Sequence, residues 1–299
     1  MNLPESLHKA IQLIHKDDAE FVQILIDIGL LNAGPFICNK CGNQMNLCRD
    51  YSVSDHMSWK CPCSQCRRSI SIRDGTIFSG KRYPMKTLFQ IYCYWCADFP
   101  IYEIAQLIGI GDNTHPIQNL CREFRQAAIQ KYQLDLAQNP LGGPNTVEVD
   151  ESAFGKAKHH RGRALKRNCN WVIGAFEQNT RRVAVSTMPN RSMAIINPFI
   201  GQNISPGSTI YTDEWRAYNG LNHNGYVHKK VNHKKGFVHI LPTGECVNTN
   251  LAEGNWTPVK GYLDKHHAHH RKYTDEYVKT WGYRRNMVHS YQDAMTTLT

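Results

Sequence analysis

Two pairs of cysteines constrain this chain more than any other feature. Cys38-x2-Cys41 is followed, after 19 residues, by Cys61-Pro62-Cys63-Ser64-Gln65-Cys66. Two knuckles about 15–20 residues apart are the ribbon spacing that gives tetrahedral thiolate coordination of Zn²⁺. A segment of about 40 residues cannot bury enough apolar surface to fold alone, and a metal replaces the missing core. In the second knuckle three cysteines compete for two positions. Cys63-x2-Cys66 has the standard spacing, while Cys61-x4-Cys66 places Cys61 in a Trp59-Lys60-Cys61 strand. Cys48, Cys93, Cys96, Cys121 and Cys169 read as small core residues. The ribbon is structural, and its basic residues Lys60, Arg67, Arg68 and Arg73 are placed to touch phosphate.

Disulfides are the competing use of eleven cysteines. The N-terminus, Met1-Asn2-Leu3-Pro4-Glu5, lacks a basic segment followed by an apolar run, so it does not read as a secretory signal and the compartment is expected to be reducing. No run of about 18 apolar residues is present, so no membrane partner is expected. Lys and Arg total 35 against 25 acidic residues, giving a formal charge of +10 over 299 residues. That balance favours a polyanionic partner, nucleic acid first among them.

Periodicity divides the chain into modules. Residues 1–34 are helical: Asp17 and Glu20 form a capping box, Phe21, Ile24, Leu25 and Ile28 an apolar face, and Gly29 a stop. That helix packs on the body or on a second copy. Residues 35–80 are the zinc ribbon. In residues 81–138 three helical stretches begin near Met85, Ile101 and Thr114, the last running to about Tyr132 after a glycine-containing turn, which fits a helix-turn-helix. Asn139–Pro144 is a turn-rich linker. From residue 145 to 299 strands over Thr146–Val149, Trp171–Phe176 and Arg182–Ser186 precede a helix over Ala194–Ile200. Strands over Thr209–Thr212 and Tyr226–Val231 follow, with helix again from about Thr249. This is an α/β pattern.

Acids sit at the ends of these elements. Asp150 ends the first strand, and Asp213 lies 63 positions on, at the end of a later strand and before a turn. Glu253 lies 40 positions further, where the late helical region opens. Hard divalent cations take oxygen ligands and keep open positions for water and phosphate. Carboxylates from two strand ends and a helix can converge at one sheet edge to hold two of them for in-line phosphoryl displacement. Lys260, seven residues after Glu253, shares its helix face and is placed to grip phosphate, although Pro258 between them disfavours a straight helix. Lys156, Lys158, His159, His160, Arg161, Arg163, Lys166 and Arg167 form a basic loop after Asp150, suited to holding DNA. The alternative for that loop is a solvated charge run. Trp215 and Trp256 are expected to brace the acids by packing. His233 is either a satisfied core histidine or a residue that orients the attacking water. The cluster from His266 to His270 reads as a polar loop or helix end rather than a metal site.

Several of these segments together carry a resemblance. Val147-Glu148-Val149-Asp150-Glu151-Ser152, Arg161-Gly162-Arg163 and Trp171-Val172-Ile173-Gly174-Ala175 occur in order. Tyr211-Thr212-Asp213-Glu214-Trp215-Arg216-Ala217-Tyr218, Val231-Asn232-His233 and Asn248-Thr249-Asn250-Leu251-Ala252-Glu253-Gly254-Asn255-Trp256 follow. Upstream stand Trp59-Lys60-Cys61 and Ile70-Ser71-Ile72-Arg73-Asp74-Gly75-Thr76. From about residue 35 to 285 the chain resembles DDE transposases of the Merlin superfamily and their bacterial insertion-sequence relatives. Pro258 stands where that family has another residue.

The resemblance implies a ribonuclease-H-like mixed sheet with flanking helices, preceded by the zinc ribbon and the helix-turn-helix. It implies Asp150, Asp213 and Glu253 as the acidic triad, holding two Mg²⁺ or Mn²⁺ ions, and Cys38, Cys41, Cys61 and Cys66 as ligands of one Zn²⁺, with Cys63 as the alternative. It places the basic loop and His233 at DNA or active-site contacts. The expected activity is binding of terminal inverted repeats, cleavage at the element's ends and joining of the 3′-hydroxyl to target DNA. Pairing two ends calls for a homodimer or larger assembly on double-stranded DNA. The expected location is the nucleus of a eukaryote, or the cytoplasm and nucleoid if the host is bacterial. The alternatives are a transposon-derived DNA-binding regulator without catalysis, against which the presence of all three acids counts, and a zinc-ribbon nuclease that cuts without joining.

Overall fold

A computed structural model describes residues 3–154, 170–231, 238–240, 244, 246–268, 270–290 and 293–295. The chain forms two compact units, Met1–Phe124 with His289–Thr299, and Arg125–Val288. None of the described helices is long and apolar enough to cross a membrane.

The first unit opens with α1 (Leu3–Gln12) and α2 (Asp18–Asp27). Asp17 caps α2 by accepting from the Ala19 amide at 3.0 Å, and Gly29 at φ 78° closes it. Strands β1 (Asn46–Arg49), β2 (Met57–Lys60) and β3 (Ser69–Ser71) make an antiparallel ribbon in that order. Then come α3 (Met85–Cys96), α4 (Ile101–Leu107) and the start of α5 (His115–Gln138), whose residues from Arg125 on belong to the second unit. Gly109 and Gly111, at φ 79° and 64°, turn the chain between α4 and α5. The rings of Phe78, Tyr92 and Phe124 meet edge to face at 5.2–6.2 Å, fixing α3 against α5. The third helix runs beyond the Tyr132 expected from the sequence because Tyr132 and Leu136 are themselves buried.

The second unit is built on a five-stranded sheet with order β6-β5-β4-β7-β8. Its strands are β4 (Val147–Phe154), β5 (Asn170–Glu177), β6 (Val183–Met188), β7 (Thr209–Asp213) and β8 (Val227–Val231). The β4–β5–β6 meander is antiparallel, whereas β4–β7 and β7–β8 are parallel. α6 (Met193–Asn203) makes the crossover from β6 to β7. β9 (Val238–Ile240) and β10 (Cys246–Asn248) form a separate antiparallel pair. α7 (Asn250–Lys265) and α8 (Arg271–Met287) bury Trp256, Val259, Leu263, Val278 and Trp281 against Val172, Phe176, Val183 and Val185. This mixed sheet with flanking helices fits a ribonuclease-H-like fold.

Edge strand β6 is closed by side chains rather than by another strand. The Tyr132 hydroxyl donates to the Val183 carbonyl and accepts from the Val185 amide, at 3.1 and 3.0 Å. Asp275 accepts from the Thr187 amide at 2.9 Å. The turn-rich stretch 139–144 is tied down as well. Leu141 is buried, and its amide donates to Asn203 while its carbonyl accepts from Ser205, both at 2.8 Å.

Candidate metal centres

The ribbon presents its cysteines from two tight turns. In the first, the Gly42 amide donates to the Cys38 carbonyl at 2.9 Å, with Gly42 at φ 72°. In the second, the Cys66 and Arg67 amides both donate to the Cys63 carbonyl, with Arg67 at φ 48°. The Cys61 amide donates to the Arg68 carbonyl at 2.9 Å, extending the strand side of that turn. Sulfurs of Cys38, Cys41, Cys61 and Cys66 all lie within 4.8 Å of one another. Zinc–sulfur bonds of about 2.3 Å in a tetrahedron put sulfurs about 3.8 Å apart, so this soft donor set fits the ion. The Lys40 amide, with smaller help from Cys41, pulls the Cys38 thiol down to about 7, toward the ligating thiolate. Cys63 stands outside the group of four. Its carbonyl shapes the turn that presents Cys66.

Arg67 and Arg68 are exposed on this turn. Arg73 corrects the sequence expectation of a phosphate contact. It is 6% exposed, ion-paired with Asp55, and donates to the Lys81 carbonyl at 2.7 Å. A guanidinium held in this way braces the loop before α3, where Asp55 also accepts from the Met85 amide at 2.7 Å.

The second centre sits in the mixed sheet. Pairing of β4 with β7 runs through Val147↔Ile210 and Glu148↔Tyr211; continuing that register sets Asp150 opposite Asp213. Asp150 does not end its strand, because β4 continues to Phe154 through pairing with β5. It is β7 that ends there, at Asp213. Carboxylate oxygens of Asp150, Glu151 and Asp213 lie within 4.8 Å of one another. At an effective dielectric of about 20, two carboxylates at that separation repel by roughly 3 kcal/mol. Burial raises the Asp150 carboxyl, and the charges of Asp213 and Glu253 push the same way. Burial likewise raises Glu151, against the pull of Arg191. Three hard oxygen donors crowded in this way fit a divalent cation: magnesium–oxygen bonds of about 2.1 Å reach oxygens up to about 4.2 Å apart, so small side-chain shifts close the set.

Both tryptophans hydrogen-bond at this centre. The Trp256 indole donates to Asp150 Oδ2 at 2.8 Å. The Trp215 amide donates to Asp213 Oδ1 at 2.8 Å, and its indole to the Arg191 carbonyl at 3.2 Å. Gly174, opposite Asp150 on β5, leaves room for Trp256: a Cβ there would stand 3.0 Å from the indole.

Glu253 lies in the first turn of α7 and is exposed. It is not among the acids gathered within 4.8 Å, although its charge is felt at Asp150. α7 continues through Pro258, so Glu253 and Lys260 share an exposed face, with the Lys260 ammonium 5.4 Å from the centre of the Phe154 ring. The start of α7 is pinned from below. Buried Glu148 accepts from the Ala252 amide at 2.9 Å and from Gln178 at 2.7 Å.

Lys156, Lys158, His159, His160, Arg161, Arg163, Lys166, Arg167, Cys169, His233 and His269 lie outside the described residues. The residues the sequence reading passed over are Glu148, Glu151 and Arg191. The signal for the two glutamates was in Glu148-Val149-Asp150-Glu151, where acids fall on both faces of one strand. Arg191 had none, since only folding brings it to Glu151.

Residues 140–286 match the family model of the ISXO2-like transposase domain, a stretch that includes Asp150, Asp213 and Glu253. An uncharacterized transposase-like protein of Haemophilus influenzae is 27% identical over 106 residues, 35% of this chain and 81% of that protein. Among solved structures, the catalytic core domain of BIV integrase aligns with a TM-score of 0.35 at 11% identity, over 50% of this chain and 86% of that one. The simian T-cell lymphotropic virus intasome in complex with PP2A regulatory subunit B56 gamma aligns at 0.34 and 13%, over 50% and 53%. The match to the ISXO2-like transposase domain, with the transposase-like relative, supports a DDE transposase.

Proposed function

We propose that this chain is a DNA transposase of the Merlin type, which binds terminal inverted repeats, cleaves at transposon ends and joins the freed 3′-hydroxyl to target DNA. The observation that carries the reading is the meeting of Asp150 and Asp213 within 4.8 Å, in a segment that matches a transposase-domain family. With Glu253 they would hold two Mg²⁺ or Mn²⁺ ions. Ions bound there would supply charge stabilisation to the attacking and leaving oxygens of an in-line displacement. Water is the first nucleophile and the 3′-hydroxyl the second. The chain's own groups set the geometry: Trp256 and Trp215 fix the two aspartates, and Glu148 anchors the helix that carries Glu253.

DNA recognition falls to the first unit. Zinc on Cys38, Cys41, Cys61 and Cys66 stabilises the ribbon, which offers Arg67 and Arg68. The N-terminal turns of α5 expose His115, Gln118, Asn119 and Arg122, placed as in a recognition helix. Lys260 contacts phosphate beside the acids, and the loop containing Lys156, Lys158, Arg161, Arg163, Lys166 and Arg167 holds DNA across them. His233 supports the centre. The protein works as a homodimer or larger assembly on paired ends, in a eukaryotic nucleus or, in a bacterial host, at the nucleoid.

The test is incubation of the purified chain with DNA carrying the element's ends. Cleavage with Mg²⁺ or Mn²⁺, and none with chelator, is expected. Metal-dependent binding without cutting would favour the regulator instead.

A further inference from the structure

The geometry points to Glu151 as an additional ligand of the divalent-cation centre, alongside Asp150 and Asp213. The inference rests on the transposase reading only in taking this centre as a metal site, and its test separates the two.

Three observations converge. A Glu151 carboxylate oxygen lies within 4.8 Å of oxygens from both Asp150 and Asp213, a grouping that does not include Glu253. The Glu151 side chain is wholly buried, and among the described residues its Oε1 makes no full hydrogen bond; the buried Tyr218 hydroxyl, which also makes none, is the polar group that faces Glu151. Leaving one oxygen of a buried carboxylate unmet costs stability and calls for a partner at that position. Among the described residues Arg191 is the counter-charge, and it meets Oε2 alone, at 3.3 Å. Arginine–carboxylate pairs frequently engage both oxygens in a fork. Here Arg191 is held otherwise: its guanidinium stacks on Trp171 and Trp215, 4.6 and 4.4 Å from the ring centres. The stacked arginine therefore holds one oxygen of Glu151 and leaves the other for a cation.

This arrangement gives Arg191 a positioning role. It orients Glu151 through Oε2, and its carbonyl receives the indole of Trp215, whose amide holds Asp213. The acids on either side of the centre are thereby tied to one bracket.

The test is a Mn²⁺ titration of the full chain without DNA, following free Mn²⁺ by electron paramagnetic resonance. The wild type is expected to bind saturably, with competition by Mg²⁺. Glu151→Gln is expected to raise the Kd by about tenfold or more, at least the effect of losing an outer partner of a metal ligand. The double variant Glu151→Gln with Arg191→Met removes the ion pair as a unit and keeps the apolar stem between the tryptophans. A ligand role leaves its Mn²⁺ affinity as weak as that of the single variant. A merely structural role restores that affinity, which would overturn the inference. So would unchanged affinity in Glu151→Gln, or no saturable Mn²⁺ binding by the wild type. Should Glu151→Gln fail to fold by circular dichroism, Glu151→Asp keeps the charge and shortens the reach. A raised Kd then supports the ligand role, and an unchanged one overturns it. DNA cleavage is scored separately. A chain that binds Mn²⁺ through Glu151 yet cuts no DNA keeps this inference and loses the transposase reading. A chain that cuts DNA while Glu151→Gln binds Mn²⁺ normally does the reverse.

Discussion

The indole N–H of Trp256 donates to Asp150 Oδ2 at 2.8 Å, and Gly174 is what lets the ring come so near. Trp256→Phe keeps most of the packing and deletes the donor, so it is expected to cost about 1.5–3 kcal/mol, the range for a hydrogen bond to a charged group. Gly174→Ala should reproduce the defect from the other side, since its Cβ would clash with the Phe176 ring and fall 3.0 Å from the indole. Urea unfolding and the cleavage rate of both variants check this. Full activity in both would sever Trp256 from the centre.

Much of this architecture was legible before folding, because period-2 and period-3.6 patterns report directly on buried faces. The strand of Asp213 ends where the sequence places its end. The strand of Asp150 does not, because Glu151, Ser152 and Ala153 break the alternation while pairing with β5 carries β4 on to Phe154. Arg73 illustrates the other limit. Arg67 and Arg68, on the preceding turn of the same ribbon, are exposed, and only the long-range approach of Asp55 turns Arg73 into a buried brace.

That brace gives a second prediction. Arg73→Ala should cost about 3–5 kcal/mol, as breaking a buried pair does, with the salt dependence of DNA binding unchanged in the folded fraction. The paired change Arg67→Ala with Arg68→Ala should leave stability nearly intact and reduce the slope of log affinity against log salt by about 2. Denaturant unfolding and salt-titrated binding separate the cases, and equal slopes in all variants would remove the ribbon from the DNA interface.

Zinc content distinguishes the cysteines. Elemental analysis should find one zinc per wild-type chain, little in Cys61→Ser, and nearly the wild-type amount in Cys63→Ser. Chelator should unfold the ribbon, since metal binding supplies its folding free energy. Zinc lost from Cys63→Ser and kept in Cys61→Ser would exchange the two residues' roles.

Acid should weaken the second unit through His228. Burial, helped by the charge of Lys230, lowers this imidazole from 6.5 to about 4, and it hydrogen-bonds the Thr212 hydroxyl at 2.8 Å. As pH falls from about 6.5 to about 4 the unfolded chain takes up a proton that the folded chain refuses, so stability present at neutral pH is lost across that window. The melting temperature should drop between pH 7 and pH 5, and drop less in His228→Gln. An identical pH profile in that variant would contradict the assignment.

Asp150→Asn, nearly isosteric and still able to accept from Trp256, decides whether these carboxylates carry the chemistry. With Mg²⁺ and end-containing DNA, the variant should bind with wild-type affinity and give no cleavage or strand-transfer product. Cleavage retained near the wild-type rate would show that Asp150 is not part of the catalytic centre.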